Sequence, residues 1–139
     1  MNPSASSPTA SPAKLSLRGV GKYFRTRGRD IRALENISLD VSEGEFVCLL
    51  GPSGCGKSTL LNVIGGMITP SQGVALIGAT PVRGPRPKEV AYIFQESALL
   101  PWATILDNIK VSLEFQKVPR ALRDQIARES LKTVGLDAF

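Results

Sequence analysis

Apolar and polar residues alternate in two stretches near the front of the chain. Leu15, Leu17 and Gly19-Val20 alternate loosely with polar neighbours, and Ile37, Leu39 and Val41 alternate strictly with Ser38 and Asp40, which predicts two half-buried strands. Ser42-Glu43-Gly44 marks the turn that follows. Phe46 to Leu50 is a continuous apolar run, too short for a helix, and predicts a strand covered on both faces, as in a parallel sheet. From Lys57 the spacing of Leu60, Leu61 and Ile64 is helical, and Gly65-Gly66 can end the helix through left-handed backbone angles. Beyond the turn at Pro70 to Gly73, the short runs Val74 to Ile77 and Val90 to Phe94 predict two more strands, separated by the Gly- and Pro-rich Gly78 to Pro87. A second helix is predicted from Thr104, with Thr104 at the N-cap, Asp107 at N3, and Ile105, Ile109 and Leu113 on one face. Pro119 opens a third, whose apolar face is Leu122, Ile126, Ala127, Leu131 and Val134 and whose end is Gly135. Strands, a strand-loop-helix unit and then helices predict an α/β chain.

Composition narrows the class. At 139 residues and 42% hydrophobic, the chain can bury one ordinary core, so it is one domain or part of one. No apolar run approaches the roughly 18 to 20 residues of a membrane-spanning helix, so any membrane link is expected to run through a partner. Met1 to Ala13, rich in Ser, Pro and Ala, is expected to be a disordered tail, and lacks the basic start and apolar segment of a signal peptide. The net charge of +5 suits anionic partners. Lys14, Arg18, Lys22, Arg25, Arg27, Arg29 and Arg32 lie close together with Asp30 the only acid among them, which reads as a solvated basic face or as a patch near membrane phosphates. Cys48 and Cys55 have neither C-x-x-C nor zinc-ligand spacing and fit a reduced cytosolic protein.

The chemistry lies between the apolar run and the first helix. Gly51-Pro52-Ser53-Gly54-Cys55-Gly56-Lys57-Ser58 satisfies G-x-x-x-x-G-K-S/T, a phosphate-binding loop. The first N–H groups of a helix lack backbone partners and its dipole favours negative charge, so phosphate belongs there. The glycines let the backbone curl around phosphate oxygens, Lys57 reaches the β- and γ-phosphates, the Ser58 hydroxyl can ligate Mg²⁺, and Thr59 adds an α-phosphate contact. A glycine-rich capping turn would explain the glycines but not a lysine followed by two hydroxyl residues. Cys55 lies beside the helix N-terminus and Cys48 on the predicted buried strand, so Cys55 is expected to alkylate first.

The flanking residues carry a resemblance. Ala33-Leu34-Glu35-Asn36-Ile37-Ser38-Leu39, Glu43-Gly44-Glu45-Phe46 and the loop through Leu61 resemble the opening of an ATP-binding cassette (ABC) ATPase subunit. Phe94 to Ile109, with Leu99-Leu100-Pro101-Trp102, is similar to the Q-loop region of the nitrate, sulfonate and taurine importer branch, and the likeness runs from about Leu15 to Phe139. The resemblance implies a P-loop NTPase core of the ABC type with an antiparallel β-subdomain and the start of a helical subdomain. Residues 14–139 would then be a partial nucleotide-binding domain.

By the same resemblance Gln95 is the Q-loop glutamine, touching Mg²⁺ or the attacking water, and Phe24 is the aromatic that stacks on adenine, with Tyr23 its rival. Trp102 would line the groove that meets a membrane subunit. The implied ligands are ATP and Mg²⁺. The implied partners are a second ATPase subunit, membrane permease subunits and, indirectly, a solute-binding protein, with no nucleic acid, at the cytoplasmic face of the cell membrane. Two departures stand out. Gly65-Gly66-Met67 replaces the more usual Ala-Gly-Leu and is expected to loosen the helix end. The family's signature motif, Walker B Asp-Glu and switch histidine have no counterpart in the sequence, which reads as a fragment cut within the helical subdomain, inactive alone and expected to expose apolar surface and strand edge at Phe46 to Leu50, where the missing half would supply neighbours. A non-hydrolysing nucleotide-binding module and a soluble cassette ATPase acting on nucleic acid are the alternative readings; Leu-Leu-Pro-Trp argues against the second.

Overall fold

The computed structural model describes residues 13–26 and 28–136. The expected N-terminal tail, apart from Ala13, and Arg27 of the basic cluster lie outside the described residues. The elements are β1 (Leu15–Thr26), β2 (Arg29–Val41), α1 (Lys57–Ile64), β3 (Gln72–Ile77), β4 (Thr80–Pro81), α2 (Ile105–Phe115) and α3 (Arg120–Thr133). They fall into two compact units that divide between Tyr92 and Ile93.

The first unit is built on an antiparallel sheet of order β2-β1-β3-β4. Alternation holds through Leu15 and Leu17, then slips: the next fully buried residue is Val20, three positions on. A bulge between Leu17 and Val20 absorbs the odd residue, and Gly19, at φ 57, supplies the backbone turn it needs. Leu17, Val20, Leu34 and Ala75 of the sheet enclose a core with Val82 and with Leu60 and Val63 of α1. Each such burial is worth about 1.5–3 kcal/mol for a Val or Leu side chain. The helix therefore faces the sheet through Leu60 and Val63, with Ile64 beside them, whereas Leu61, expected on that face, is exposed. Three positions apart lie on one side of a helix, and the backbone sets that face one step from the sequence reading.

Two predicted strands are absent. Among the described residues Phe46 to Leu50 pairs with no strand, and Phe46 is 92% exposed and Leu50 88% exposed. Val90 to Phe94 likewise forms no ladder, and Ile93 is exposed. Apolar composition expresses a demand for cover, but a strand exists only where a neighbour takes its N–H and C=O groups, and the four antiparallel strands offer these segments none. Only Leu49 of the first run packs against the core. Conversely, β4 was not legible: it is a two-residue return after Gly78-Ala79 in a stretch read as connection, with Pro81 on the sheet edge.

The second unit holds α2 and α3. Thr104 caps α2 by accepting the Asp107 N–H at 3.1 Å, as its spacing predicts. Leu113, Ala127 and Leu131 are buried between the helices; Leu122 and Val134, expected on the same face of α3, are exposed, so the apolar face is narrower than predicted. Ion pairs bridge the rest: Lys110 to Asp124 at 2.6 Å and Arg123 to Glu114 at 3.0 Å. Hydrogen bonds from Lys110 and then Arg128 hold the Asp124 carboxyl down from 3.8 to about 2. A depressed folded-state value means that Asp124 contributes stability above its ordinary range and loses it as pH falls from 3.8 to about 2. In a carbon-detected titration the Asp124 carboxyl should respond near the lower value; a midpoint close to 3.8 would mean the bridge does not form in solution.

Candidate phosphate-binding site

Gly56 starts α1 in a left-handed conformation, φ 98 and ψ 1, and no side chain caps the helix or places an acid in its first turn. The first-turn N–H groups are thus left to an outside acceptor. Just before, Cys55 N–H closes a turn onto the Pro52 carbonyl at 3.4 Å. The loop leans on the sheet: a Cβ on Gly56 would collide with the Ala33 carbonyl oxygen of β2 and lie 3.1 Å from Leu34 Cδ2. Lys57 is half-buried and reaches back across the loop, its Nζ donating to the Gly51 and Pro52 carbonyls at 2.7 Å each, 3.5 Å from Cys55 Sγ. Ser58 is exposed at the helix start and Thr59 is half-buried behind it. An ammonium, two hydroxyls and an uncapped, acid-free helix N-terminus form a donor set suited to a polyphosphate, and the Ser58 oxygen is of the hard type that Mg²⁺ takes.

The far end of the β1–β2 hairpin lies close by. Ala33, which Gly56 presses against, is two residues from Ile31, and Ile31 pairs with Phe24. At about 3.4 Å per strand residue this is a step of about 7 Å. Phe24 is 40% exposed and Ile31 55%, an apolar cross-strand pair open to solvent. Tyr23 differs. Each ring has a cation over it, Arg32 over Tyr23 and Lys22 over Phe24, but the Tyr23 hydroxyl also donates to Gln72 Oε1 at 3.1 Å and its N–H to Ser71 Oγ. Tyr23 is committed to holding β1 against β3, and Phe24 is the aromatic with a free surface.

Gln95 belongs to the second unit, exposed at a bend, with no hydrogen bond among the described residues. Downstream, Asn108 organises the Leu-Leu-Pro-Trp turn: its Oδ1 accepts the Leu100 N–H at 2.7 Å and its Nδ2 donates to the carbonyls of Leu100, Ala103 and Thr104. Trp102, 81% exposed, stands out from that turn.

Several expectations need correction. Cys48 is exposed, as is Cys55, because the run that carries Cys48 forms no covered strand. The basic cluster is largely neutralised by acids from neighbouring parts of the hairpin: Lys14 pairs with Glu43, Arg18 with Asp40, Arg25 with Asp30 and Arg32 with Glu35. Hydrogen bonds from Arg18 and Ser16 hold the Asp40 carboxyl below its ordinary range. Counting charges along the chain missed the partners that strand pairing supplies. Nor is the end of α1 loosened. Its last turn closes through Gly65, Gly66 and Met67 N–H bonds, and the Tyr92 ring lies so near Gly65 that a Cβ there would come within 2.7 Å of it. The Tyr92 hydroxyl then donates to Asn62 Oδ1 at 2.7 Å. This Asn62–Tyr92 brace at the end of α1 had no signal in the sequence beyond the unusual glycine.

Comparison with known proteins gives the family and the fold. The profile of the ABC transporter family matches residues 34–139. An uncharacterized ABC transporter ATP-binding protein of Methanocaldococcus jannaschii is 40% identical over 126 residues, covering 91% of this chain and 47% of that protein. A bicarbonate transport ATP-binding protein of Synechocystis sp. is 39% identical, covering 93% of this chain and 48% of its own length. A taurine import ATP-binding protein of Pseudomonas aeruginosa is 39% identical, covering 91% and 48%. Among solved structures, a dimeric post-hydrolysis ATP-binding cassette bound to ADP and Pi superposes with a TM-score of 0.71 at 34% identity, over 85% of this chain and 56% of that one. The chain spans about half the length of the curated relatives it matches. No helix among the described residues is long and apolar enough to cross a membrane.

Proposed function

The chain belongs to the ABC transporter family, and from that premise we propose that it carries the ATP-binding face of an importer's ATPase subunit. The observation that carries the reading is the uncapped start of α1 with Lys57 reaching across the loop from Gly51 to Gly56. Gly51, Pro52, Ser53, Gly54, Cys55 and Gly56 supply the backbone cradle. Lys57 exchanges its two carbonyl acceptors for β- and γ-phosphate oxygens, Ser58 offers its hydroxyl to Mg²⁺, and Thr59 contacts the α-phosphate. Mg²⁺, when bound, screens the charge of the phosphates. Phe24 takes the adenine ring, favoured over Tyr23 by its exposed surface. Gln95 is assigned to the metal or the attacking water by resemblance to the family's Q-loop. The wider role is ATP hydrolysis coupled to solute uptake, with a second ATPase subunit and membrane permease subunits as partners at the inner face of the membrane. Leu99 to Trp102 and the relatives named for bicarbonate and taurine support a small oxyanion or organosulfur solute.

The two exposed thiols provide the test. Brief maleimide treatment of the full chain should label both, and Mg-ATP should slow labelling at Cys55, inside the cradle, while leaving Cys48 unchanged. Equal labelling at Cys55 with and without nucleotide, read by peptide mass spectrometry, would defeat the reading.

A further inference from the structure

We propose that Lys22 is a positioning residue of the nucleotide site, whose ammonium is pinned so as to cover one face of the Phe24 ring and leave the other for a purine. Two contacts define it. Lys22 Nζ donates to the Thr69 carbonyl at 2.8 Å and stands over the Phe24 ring 5.3 Å from its centroid. Thr69 follows the closed end of α1, the helix whose start carries Lys57 and Ser58. A single side chain therefore ties the aromatic to the segment that the phosphate-binding helix runs into.

The physical effect has two parts. A cation over a ring face is attracted to the negative side of the aromatic quadrupole, which restrains the rotamer of a phenylalanine otherwise free at a strand surface. The same cation draws electron density toward the covered face, which favours an electron-rich purine on the opposite one. Among the described residues Lys22 makes no ion pair, unlike Lys14, Arg18, Arg25 and Arg32 of the same hairpin, so its charge remains directed at the ring and the carbonyl. Its carbonyl bond fixes where that charge sits.

The proposal rests on the assignment of Phe24 as the base platform, and the experiment separates the two. Affinities for Mg-ATP and for Mg-tripolyphosphate, which has the phosphates but no base, are measured by calorimetry on the full chain and on Lys22→Met, Lys22→Arg and Phe24→Ala. Lys22→Met keeps most of the apolar stem and loses the charge. It should weaken ATP about two- to fivefold, the scale of an exposed cation–π contact, and leave tripolyphosphate unchanged, with Lys22→Arg restoring ATP affinity. If Phe24→Ala weakens ATP selectively but Lys22→Met matches the wild type, the inference about Lys22 falls and the platform stands. If Phe24→Ala leaves ATP and tripolyphosphate as in the wild type, the platform falls and this inference with it. If Lys22→Met weakens both ligands alike, Lys22 merely supports the fold, and the positioning role is overturned.

Discussion

Lys57→Ala is expected to reduce ATP affinity by about 2–5 kcal/mol, the cost of removing one partner from a desolvated charge pair, which is roughly 30-fold to several thousandfold in Kd. The size follows from what the ammonium meets in each state. Without nucleotide it bonds the Gly51 and Pro52 carbonyls, both on exposed residues. Water can replace it there, so the loss to folding should stay at the low end of the 0.5–1.5 kcal/mol typical of a net hydrogen bond. With nucleotide, the ammonium faces charged phosphate oxygens, and a water in its place leaves their charge uncompensated. Binding and stability should therefore separate: calorimetry shows a large loss, and urea unfolding shows a midpoint nearly unmoved. Equal ATP affinity in mutant and wild type would remove Lys57 from the site. A parallel collapse of stability would make it a strut of the loop rather than a ligand.

What could be read in advance divides along a physical line. Periods and caps are local, and the structure returned them: the alternation before Val41, the helix from Lys57, the Thr104–Asp107 cap, the left-handed Gly135 after α3. Partners are not local. The run from Phe46 to Leu50 announces burial without naming a neighbour, and it is exposed. The hairpin cations looked unopposed because Asp40 and Glu43, which pair with Arg18 and Lys14, lie more than twenty residues further along the chain. Strand register makes those pairs, and register rests on shifts in the β1–β2 ladder between Leu17 and Tyr23, the bulge at Gly19 among them, that alternation alone does not predict.

The candidate site divides in the same way. Glycines, lysine and hydroxyls were legible because phosphate recognition uses contiguous backbone and the first turn of one helix. Residues that support the loop from a distance were silent: Ala33 beneath Gly56, Thr69 holding Lys22, Tyr92 against Gly65. The choice between Tyr23 and Phe24 also needed three dimensions. Both are aromatic neighbours on one strand, and only the hydroxyl bond of Tyr23 to Gln72 shows which is already engaged.

Ala33 beneath Gly56 leads to the second large expected effect, a contrast between two glycines of the same loop. Gly54 and Gly56 both have positive φ, 79 and 98, so alanine at either costs about 1–2 kcal/mol of backbone strain. Their surroundings differ. A Cβ on Gly54 meets nothing within 4 Å, whereas one on Gly56 runs into the backbone carbonyl of Ala33. A carbonyl in a strand cannot rotate away as a flexible side chain would, so either the loop lifts or β2 shifts, and such overpacking adds about 1–3 kcal/mol. Gly56→Ala should therefore unfold at a temperature about 5–20 °C below Gly54→Ala. Matching transitions would mean that the loop does not rest on β2. The contact also bears on binding, since β2 carries Ile31, the partner of Phe24, and so spaces the base platform from the phosphate cradle. Lifting the loop should harm a ligand that spans both places more than one that occupies only the cradle. Gly56→Ala is thus expected to weaken Mg-ATP more than Mg-tripolyphosphate. Gly54→Ala, which leaves the spacing intact, should weaken the two alike. A uniform loss in both mutants would show that Gly56 serves the phosphates alone.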